Sequence, residues 1–387
     1  MSESLGRTSM APEQVDERFK AALDERAADV ASIVDFITAH PELAHEEVES
    51  SAHLVARLRD AGYTVATGVA GMPTAFRAEL EGGAPGQTVG VIAVYDAVAA
   101  KSPEGDVAPV HSCGHGAQSA GVVGAALALA AVRDELSGTV VIVGCPADEI
   151  HSPRTRELGS GKALSAARGL WNDIDVALYP HPEFIDTVWP SSLWMRRESV
   201  RIVGIRTLKR DVVSTPLDAL AVIARLPSTF DPARLMVETV LLDGDVEESA
   251  GMVIDASFLL FADTEEELEA LAARLRQQFG EGSWTSSAAI AEVRPDAAVT
   301  ALVADAFAAA GRDFIADPPA LGFATDFGNV TQVVRAAIVG VGREEGWRYH
   351  TPTGGEEFAG PAGTRNALDI ARVIGLAALR IGAASDL

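Results

Sequence analysis

The sequence predicts an α/β protein: a mixed, partly parallel sheet, interrupted by an inserted α+β domain with ferredoxin-like element order. Three observations predict it. Nearly continuous apolar segments such as Val89–Tyr95 have the pattern of strands covered on both faces. Such segments alternate with longer ones of helical period, as in layered α/β folds. Near residue 195 the character changes, and one complete β-α-β-β-α-β run intervenes before the alternation resumes.

Taken in order, Glu13–Ala39 reads as a helix, with an inward stripe at Val30, Ile33, Val34 and Ile37 and a stop at Pro41. Glu46–Ala61 is a second helix, with Leu54, Val55 and Leu58 inward and Gly62 as its C-terminal cap. Strands follow at Tyr63–Val69, Ala75–Leu80 and Val89–Tyr95. A polar loop leads to an Ala- and Gly-rich helix at Ser119–Val132. That run is shorter than the roughly 18 residues of a membrane span, so it is expected as a buried helix. Thr139–Gly144 and Ile174–Tyr179 are further buried strands. The inserted unit comprises strand Ser199–Gly204, helix Pro216–Leu226, strands Leu235–Leu242 and Met252–Phe261, helix Glu265–Phe279 and strand Ser286–Val293. Helix Asp296–Ala310, strand Ala336–Val341 and helix Gly363–Ile381 complete the first domain. The expected domains are therefore 1–195 with 296–387, and 196–295 inserted between them.

Composition narrows the function. The 387 residues are 48% hydrophobic and 22% charged, which excludes disordered and fibrous classes. A formal charge of -24 repels phosphate backbones and anionic lipid surfaces, so neither nucleic acid nor membrane is an expected partner. Two cysteines cannot build a disulfide framework, and no targeting segment is visible at Met1–Gln14. A reducing, cytoplasmic setting is the expectation.

Residues of metal-ligand type recur just past strand ends. His111-Ser112-Cys113-Gly114-His115 follows the strand ending near Asp96 and its loop. Asp148-Glu149 follows Thr139–Gly144, His181 follows Ile174–Tyr179, and His350 follows Ala336–Val341. In open α/β sheets sites form beyond the carboxyl ends of strands. Imidazole, thiolate and carboxylate together suit zinc, manganese or a similar divalent transition metal. One such residue is ordinarily structural; four clusters at four strand ends point to a metal site. Cys145, in an apolar setting, is expected to be packing.

These motifs resemble those of the metallo-aminoacylase and carboxypeptidase superfamily, within it the aminobenzoyl-glutamate hydrolases and auxin-conjugate amidohydrolases. The resemblance rests on His40-Pro41-Glu42-Leu43 followed by Glu46, Tyr95-Asp96-Ala97, His111-Ser112-Cys113-Gly114-His115, Pro146-Ala147-Asp148-Glu149, Thr325-Asp326-Phe327-Gly328-Asn329-Val330 and His350-Thr351-Pro352. It implies metal ligands at Cys113, His115, Glu149, His181 and His350, and a general base at Asp148. It further implies that Asp96, with His111, supports the ligands from outside. The inserted domain would be a lid and dimerisation domain, giving a homodimer or higher homo-oligomer.

Three departures from that family stand out. Asp148 replaces the usual Glu, one methylene shorter. Gly116 and Gln118 replace polar residues of the family, from which weaker or more labile metal binding is expected. The family's lid His falls on Leu208, and no histidine lies between His181 and His350. Arg206, Lys209 and Arg210 cluster there in an otherwise acidic chain and are the candidate site for a substrate carboxylate. The expected activity is metal-dependent hydrolysis of a C–N bond in a small carboxylate-bearing molecule, an N-acyl amino acid or aryl amide. The alternative is hydrolytic deamination of an amino-substituted aromatic acid, as in the 5-nitroanthranilate aminohydrolase offshoot. An alternative of another class is an inactive relative acting as a binding protein.

Overall fold

The computed structural model describes residues 10–101, 107–204, 216–244, 252–279, 282–385 and 387. Among them the strands are, in chain order, β1 (Thr64–Thr67), β2 (Phe76–Glu81), β3 (Ala84–Val94), β4 (Val98–Lys101), β5 (Val107–Val110), β6 (Ser137–Cys145) and β7 (Val176–Glu183). They continue with β8 (Thr187–Val188), β9 (Trp194–Gly204), β10 (Leu235–Gly244), β11 (Met252–Ala262), β12 (Ser283–Ser286) and β13 (Arg335–Gly342). Two compact units result. One holds the described residues up to Ser191 with Val293–Ala320 and Asn329–Leu387; the other holds Ser192–Glu292 with Leu321–Gly328. The sequence pattern places all of 296–387 in the first domain. The segment Leu321–Gly328 instead joins the second unit, where the Leu193 amide donates to the Phe323 carbonyl at 3.4 Å.

The first unit is built on a seven-stranded mixed sheet of order β1-β2-β6-β3-β7-β13-β8. Its strands β6, β3, β7 and β13 are parallel; at the edges β2 pairs antiparallel with β6, β1 antiparallel with β2, and β8 antiparallel with β13. Val89 to Val94 of β3 are all buried or nearly so, as apolar alternation on both faces requires. The helix His115–Ala131 packs against the long helix Pro361–Ala383 and against Ala27–Ala39. Its Ala- and Gly-rich surface is buried almost all round, which close helix approach demands. The segment expected as one helix, Glu13–Ala39, is two, Pro12–Glu25 and Ala27–Ala39, divided at Arg26 (φ −95°, ψ 3°). Neither Pro nor Gly marks that break. No helix among the described residues is long and apolar enough to cross a membrane.

The second unit carries the antiparallel sheet β10-β11-β9-β12, with helices Pro216–Thr229 and Glu265–Gln278. Order and connection are those of a ferredoxin-like unit. One sheet face, with Val200, Ile202, Ile254, Phe258 and Leu260, meets Leu226, Leu268 and Leu275 of the helices in a separate core. The last strand sits earlier than the expected Ser286–Val293: β12 ends at Ser286, and beyond it only an isolated bridge joins Ile290 to Met195. Ile290, Ala291 and Val293 are buried without extending the ladder, so their apolar run mimics a strand.

Gln118 shows how the sheet opens toward the site. The β3–β7 ladder stops at the pair Val91–Leu178. Past it, the fully buried Gln118 amide accepts from the Val94 N–H (2.9 Å) and donates to the carbonyls of Ile92 (2.7 Å) and Pro180 (3.0 Å). A side chain thus satisfies backbone groups that the diverging strands no longer pair. Gly116 faces elsewhere: a Cβ there would lie 3.1 Å from Thr38 Cγ2, against the helix Ala27–Ala39. These two positions serve packing and strand registration. Gln118→Met is expected to destabilise the protein by roughly 2–4 kcal/mol in urea unfolding, by leaving buried amide and carbonyl groups unpaired. A loss under about 0.5 kcal/mol would be inconsistent with this bridging role.

Candidate metal centre

The carboxyl ends of β3, β6, β7 and β13 lead into one cluster within the first unit. His115 is the first residue of its helix, after Gly114 at φ +90°. A Cβ on Gly114 would stand 2.7 Å from Pro182 Cγ and 2.8 Å from Phe358, so glycine is needed both for the turn and for the approach. Glu149 lies four residues past the end of β6, in a loop whose Glu149 N–H donates to Asp96 Oδ2 at 2.9 Å. His181 is inside β7 rather than beyond it, because the strand runs on to Glu183. His350, at φ +57°, arrives from the loop after β13, its N–H donating to the Ser112 carbonyl at 2.9 Å.

The donor atoms of Cys113, His115 and His181 lie within 4.8 Å of one another, and so do those of Cys113, Glu149 and His350. Cys113 belongs to both triads, so the cluster could hold one metal ion or two about a shared sulfur. Cys113 Sγ is 3.8 Å from His181 Nε2. His350 Nε2 and His115 Nε2 are 3.7 and 3.9 Å from Glu149 Oε1. The far sides of the His115 and His181 imidazoles are anchored. His115 Nδ1 reaches the Asp96 carbonyl (2.7 Å) and carboxylate (3.0 Å), and His181 Nδ1 reaches the Pro182 carbonyl (2.7 Å) and Glu183 (3.3 Å). Such partners fix which nitrogen is free to ligate.

A cation fits this arrangement. His115 Nε2 and Glu149 Oε1 are buried without a hydrogen-bond partner and face the same cluster. Burial raises the Cys113 thiol, but the His115 charge, with the His181 and His350 rings close by, outweighs it and holds the thiol well below its usual range. Burial and then the Cys113 charge push Glu149 well up. His115 goes well up despite burial, through Cys113 and Asp96; His181 goes to about 9 despite burial, through Cys113 and Glu183. The cluster is a set of buried anions drawing in protons, and a divalent cation supplies the same compensation with one charge centre. Sulfur, nitrogen and oxygen donors together fit a divalent transition metal.

Asp148 stands beside these ligands, its Oδ2 3.2 Å from His115 Nε2. Its other partners are not apparent from sequence. The Tyr179 hydroxyl donates at 3.2 Å to both carboxylate oxygens, and the fully buried Lys162 is ion-paired with Oδ1. Asp96 is buried and takes the supporting contacts described above. His111 is buried, and burial followed by the His115 charge lowers it to about 3. Neither of its ring nitrogens makes a hydrogen bond, so no such contact carries its expected support of the ligands. Cys145 is buried in the core at the end of β6. Arg206, Lys209 and Arg210, with Leu208, lie outside the described residues.

Sequence reasoning missed Glu47. The motif reading uses Glu46, which is exposed; Glu47 is fully buried. Its Oε1 accepts from the amides of His45 (2.8 Å) and Ala147 (2.9 Å), and its Oε2 from Thr74 Oγ1 (2.9 Å). His45 and Ala147 hold φ of 65° and 57°, a costly region for side-chain-bearing residues. One carboxylate oxygen thus secures two strained residues, the second immediately before Asp148. A signal existed: Glu47 lies seven residues before Leu54, on the same inward helical face.

The family model for peptidase family M20/M25/M40 matches residues 66–359, more than half of the chain. The chain belongs to that family. Among curated relatives, one of the subunits of p-aminobenzoyl-glutamate hydrolase from Escherichia coli (strain K12) is 34% identical over 162 residues, which are 39% of this chain and 32% of that protein. N-acetyl-L-cysteine deacetylase of Bacillus subtilis (strain 168) is 28% identical over 151 residues, 36% of this chain and 35% of that protein. The chain thus spans about a third of the length of these curated relatives. Among solved structures, the Bacillus subtilis YxeP protein, described as a dinuclear metal-binding peptidase of the M20 family, superposes with a TM-score of 0.70 at 17% identity. That match covers 93% of this chain and 99% of the other. The aminobenzoyl-glutamate utilization protein of Klebsiella pneumoniae gives 0.70 at 14% identity, covering 94% and 98%. These likenesses show the fold.

Burial, then the Asp96 charge, raises Glu47 from 4.5 to about 7, against hydrogen bonds that lower it. The folded protein therefore favours the neutral carboxyl. That contribution is fully present below pH 4.5 and is lost as pH rises through about 7. In metal-free protein, stability is expected to fall across this window by about 3 kcal/mol from Glu47. Glu47→Gln should flatten the urea-denaturation profile between these pH values, and an unchanged slope would exclude Glu47 as the source.

Proposed function

We propose that this chain is a divalent-metal-dependent hydrolase that cleaves the C–N bond of an amide in a small carboxylate-bearing molecule, an N-acyl amino acid or aryl amide. The observation that carries the reading is the convergence of Cys113, His115, Glu149, His181 and His350, with Asp148 alongside. The relatives support it: both p-aminobenzoyl-glutamate and N-acetyl-L-cysteine, in the names of the curated matches, are N-acyl amino acids.

Cys113, His115, Glu149, His181 and His350 would hold the metal, with manganese or zinc as the proposed ion. Such a cation supplies Lewis acidity to a water nucleophile and to the scissile carbonyl. Asp148 takes the proton of the attacking water and delivers it to the leaving nitrogen. Asp96 and Glu183 keep the His115 and His181 rings turned so that Nε2 faces the cluster. Tyr179 and Lys162 hold the Asp148 carboxylate. The second unit is proposed as the lid and dimerisation domain of a homodimer, and Arg206, Lys209 and Arg210 as the anchor for the substrate carboxylate.

Asp148→Asn is expected to keep its metal and lose turnover by a factor of about 10²–10⁴. Cys113→Ala and His181→Ala are expected to lose metal, measured by elemental analysis of the purified variants. Wild-type turnover in Asp148→Asn would remove that residue from the mechanism, and unchanged metal in both ligand variants would remove the site. A screen of N-acyl amino acids and amino-substituted benzoates with added manganese, zinc and cobalt identifies the substrate class. Ammonia release without a carboxylic-acid co-product would replace amide cleavage by aromatic deamination. Metal retention with no turnover of any amide or amine would favour a binding protein.

A further inference from the structure

We propose that Lys162 is the positioning residue of Asp148, its buried ammonium setting the direction in which the shortened carboxylate faces the ligand cluster. The inference rests on the reading of Asp148 as the proton acceptor. Three observations carry it. The first is how Lys162 gets there. The helix Gly161–Ala167 begins directly against the turn that carries Asp148, with the Gly161 amide donating to the Ala147 carbonyl at 3.2 Å. A Cβ on Gly161 would lie 1.8 Å from the Pro146 carbonyl oxygen, so only glycine permits this seating. The next residue, Lys162, is thereby delivered beneath Asp148.

The second observation is burial. The Lys162 side chain has no solvent exposure, and its Nζ lies 4.5 Å from the centroid of the Tyr179 ring. An ammonium removed from water is costly unless paired, so this is not an incidental surface ion pair. Its helix is tied in turn: the Ser165 hydroxyl donates to the Lys162 carbonyl at 2.7 Å and accepts from Trp171 Nε1 at 2.8 Å. The third is direction. Lys162 engages Oδ1, the Tyr179 hydroxyl lies 3.2 Å from both oxygens, and Oδ2 is left toward His115 at 3.2 Å. An Asp reaches one methylene less far than a Glu, so its placement depends more on what holds it from behind.

The test uses the metal-loaded full chain, with N-acetyl-cysteine and p-aminobenzoyl-glutamate as substrates, and manganese content as the control. Lys162→Met is expected to lower kcat about a hundredfold, the usual cost of a misplaced catalytic group, with KM and manganese content within about twofold of wild type. Lys162→Arg should recover most of that loss. In an Asp148→Glu background the longer carboxylate should make Lys162→Met less damaging, a non-additivity that a purely structural lysine would not produce. Crystal structures of the metal-free protein give a readout independent of turnover: in Lys162→Met, Asp148 Oδ2 should leave its contact with His115 Nε2. If Lys162→Met fails to fold, Lys162→Gln keeps a polar side chain without the charge, and should lower kcat about tenfold at unchanged manganese content. An unmoved Asp148 in a folded Lys162→Met, or wild-type kcat in either variant, overturns the proposal. Should Asp148→Asn remain fully active, it is the base assignment that fails; should Asp148→Asn be dead and Lys162→Met normal, only the positioning role fails.

Discussion

Burying several anions at the end of a parallel sheet is the constraint on which the rest of this structure depends. Asp96 follows β3, Cys113 follows β5, and Asp148 and Glu149 follow β6, in a place where water is largely excluded. Isolated charges in such a place are prohibitive, so each needs a countercharge or a donor. His115, His181 and Lys162 supply part of it. His115 Nε2 and Glu149 Oε1, both buried without hydrogen bonds, lie 3.9 Å apart, and a divalent cation there would complete the balance. Site and fold are therefore one electrostatic problem.

The sheet solves the geometrical half of it. Four parallel strands end on one side, so loops from distant parts of the chain meet there without long excursions. Three local devices then fix them. Gln118 spans the opening between β3 and β7, Gly114 lets His115 begin its helix against Pro182 and Phe358, and Glu47 holds the strained backbone at Ala147. Each device is a single buried residue, itself no ligand, whose replacement would disturb residues of the cluster.

Much of this was legible in the sequence because apolar period and ligand chemistry are local signals. The strand at Val89–Tyr95, the helix at Ser119–Val132 and the clusters at 113–115, 148–149, 181 and 350 declare themselves from neighbouring residues alone. What was hidden depends on tertiary approach. Nothing near Lys162 in the chain announces that it will be buried under Asp148; that follows from Gly161 meeting Pro146. The surroundings of Gly116 and Gln118 are equally hidden: one packs on Thr38 and the other registers two strands. The break at Arg26 and the early end of β12 escape the sequence because the apolar pattern runs through both without a turn residue. Glu47 is misread by one position, although helical period favours it over Glu46.

The central claim is that a thiolate, imidazoles and a carboxylate from separate strand ends form one metal centre, of one ion or two, with the Cys113 sulfur as a ligand. X-ray absorption at the metal edge of the manganese- or zinc-loaded protein tests it most directly. The account predicts a sulfur scatterer among the metal's nearest neighbours, with imidazole nitrogen and carboxylate oxygen, and its disappearance in Cys113→Ser. A wild-type spectrum with oxygen and nitrogen neighbours alone would contradict it.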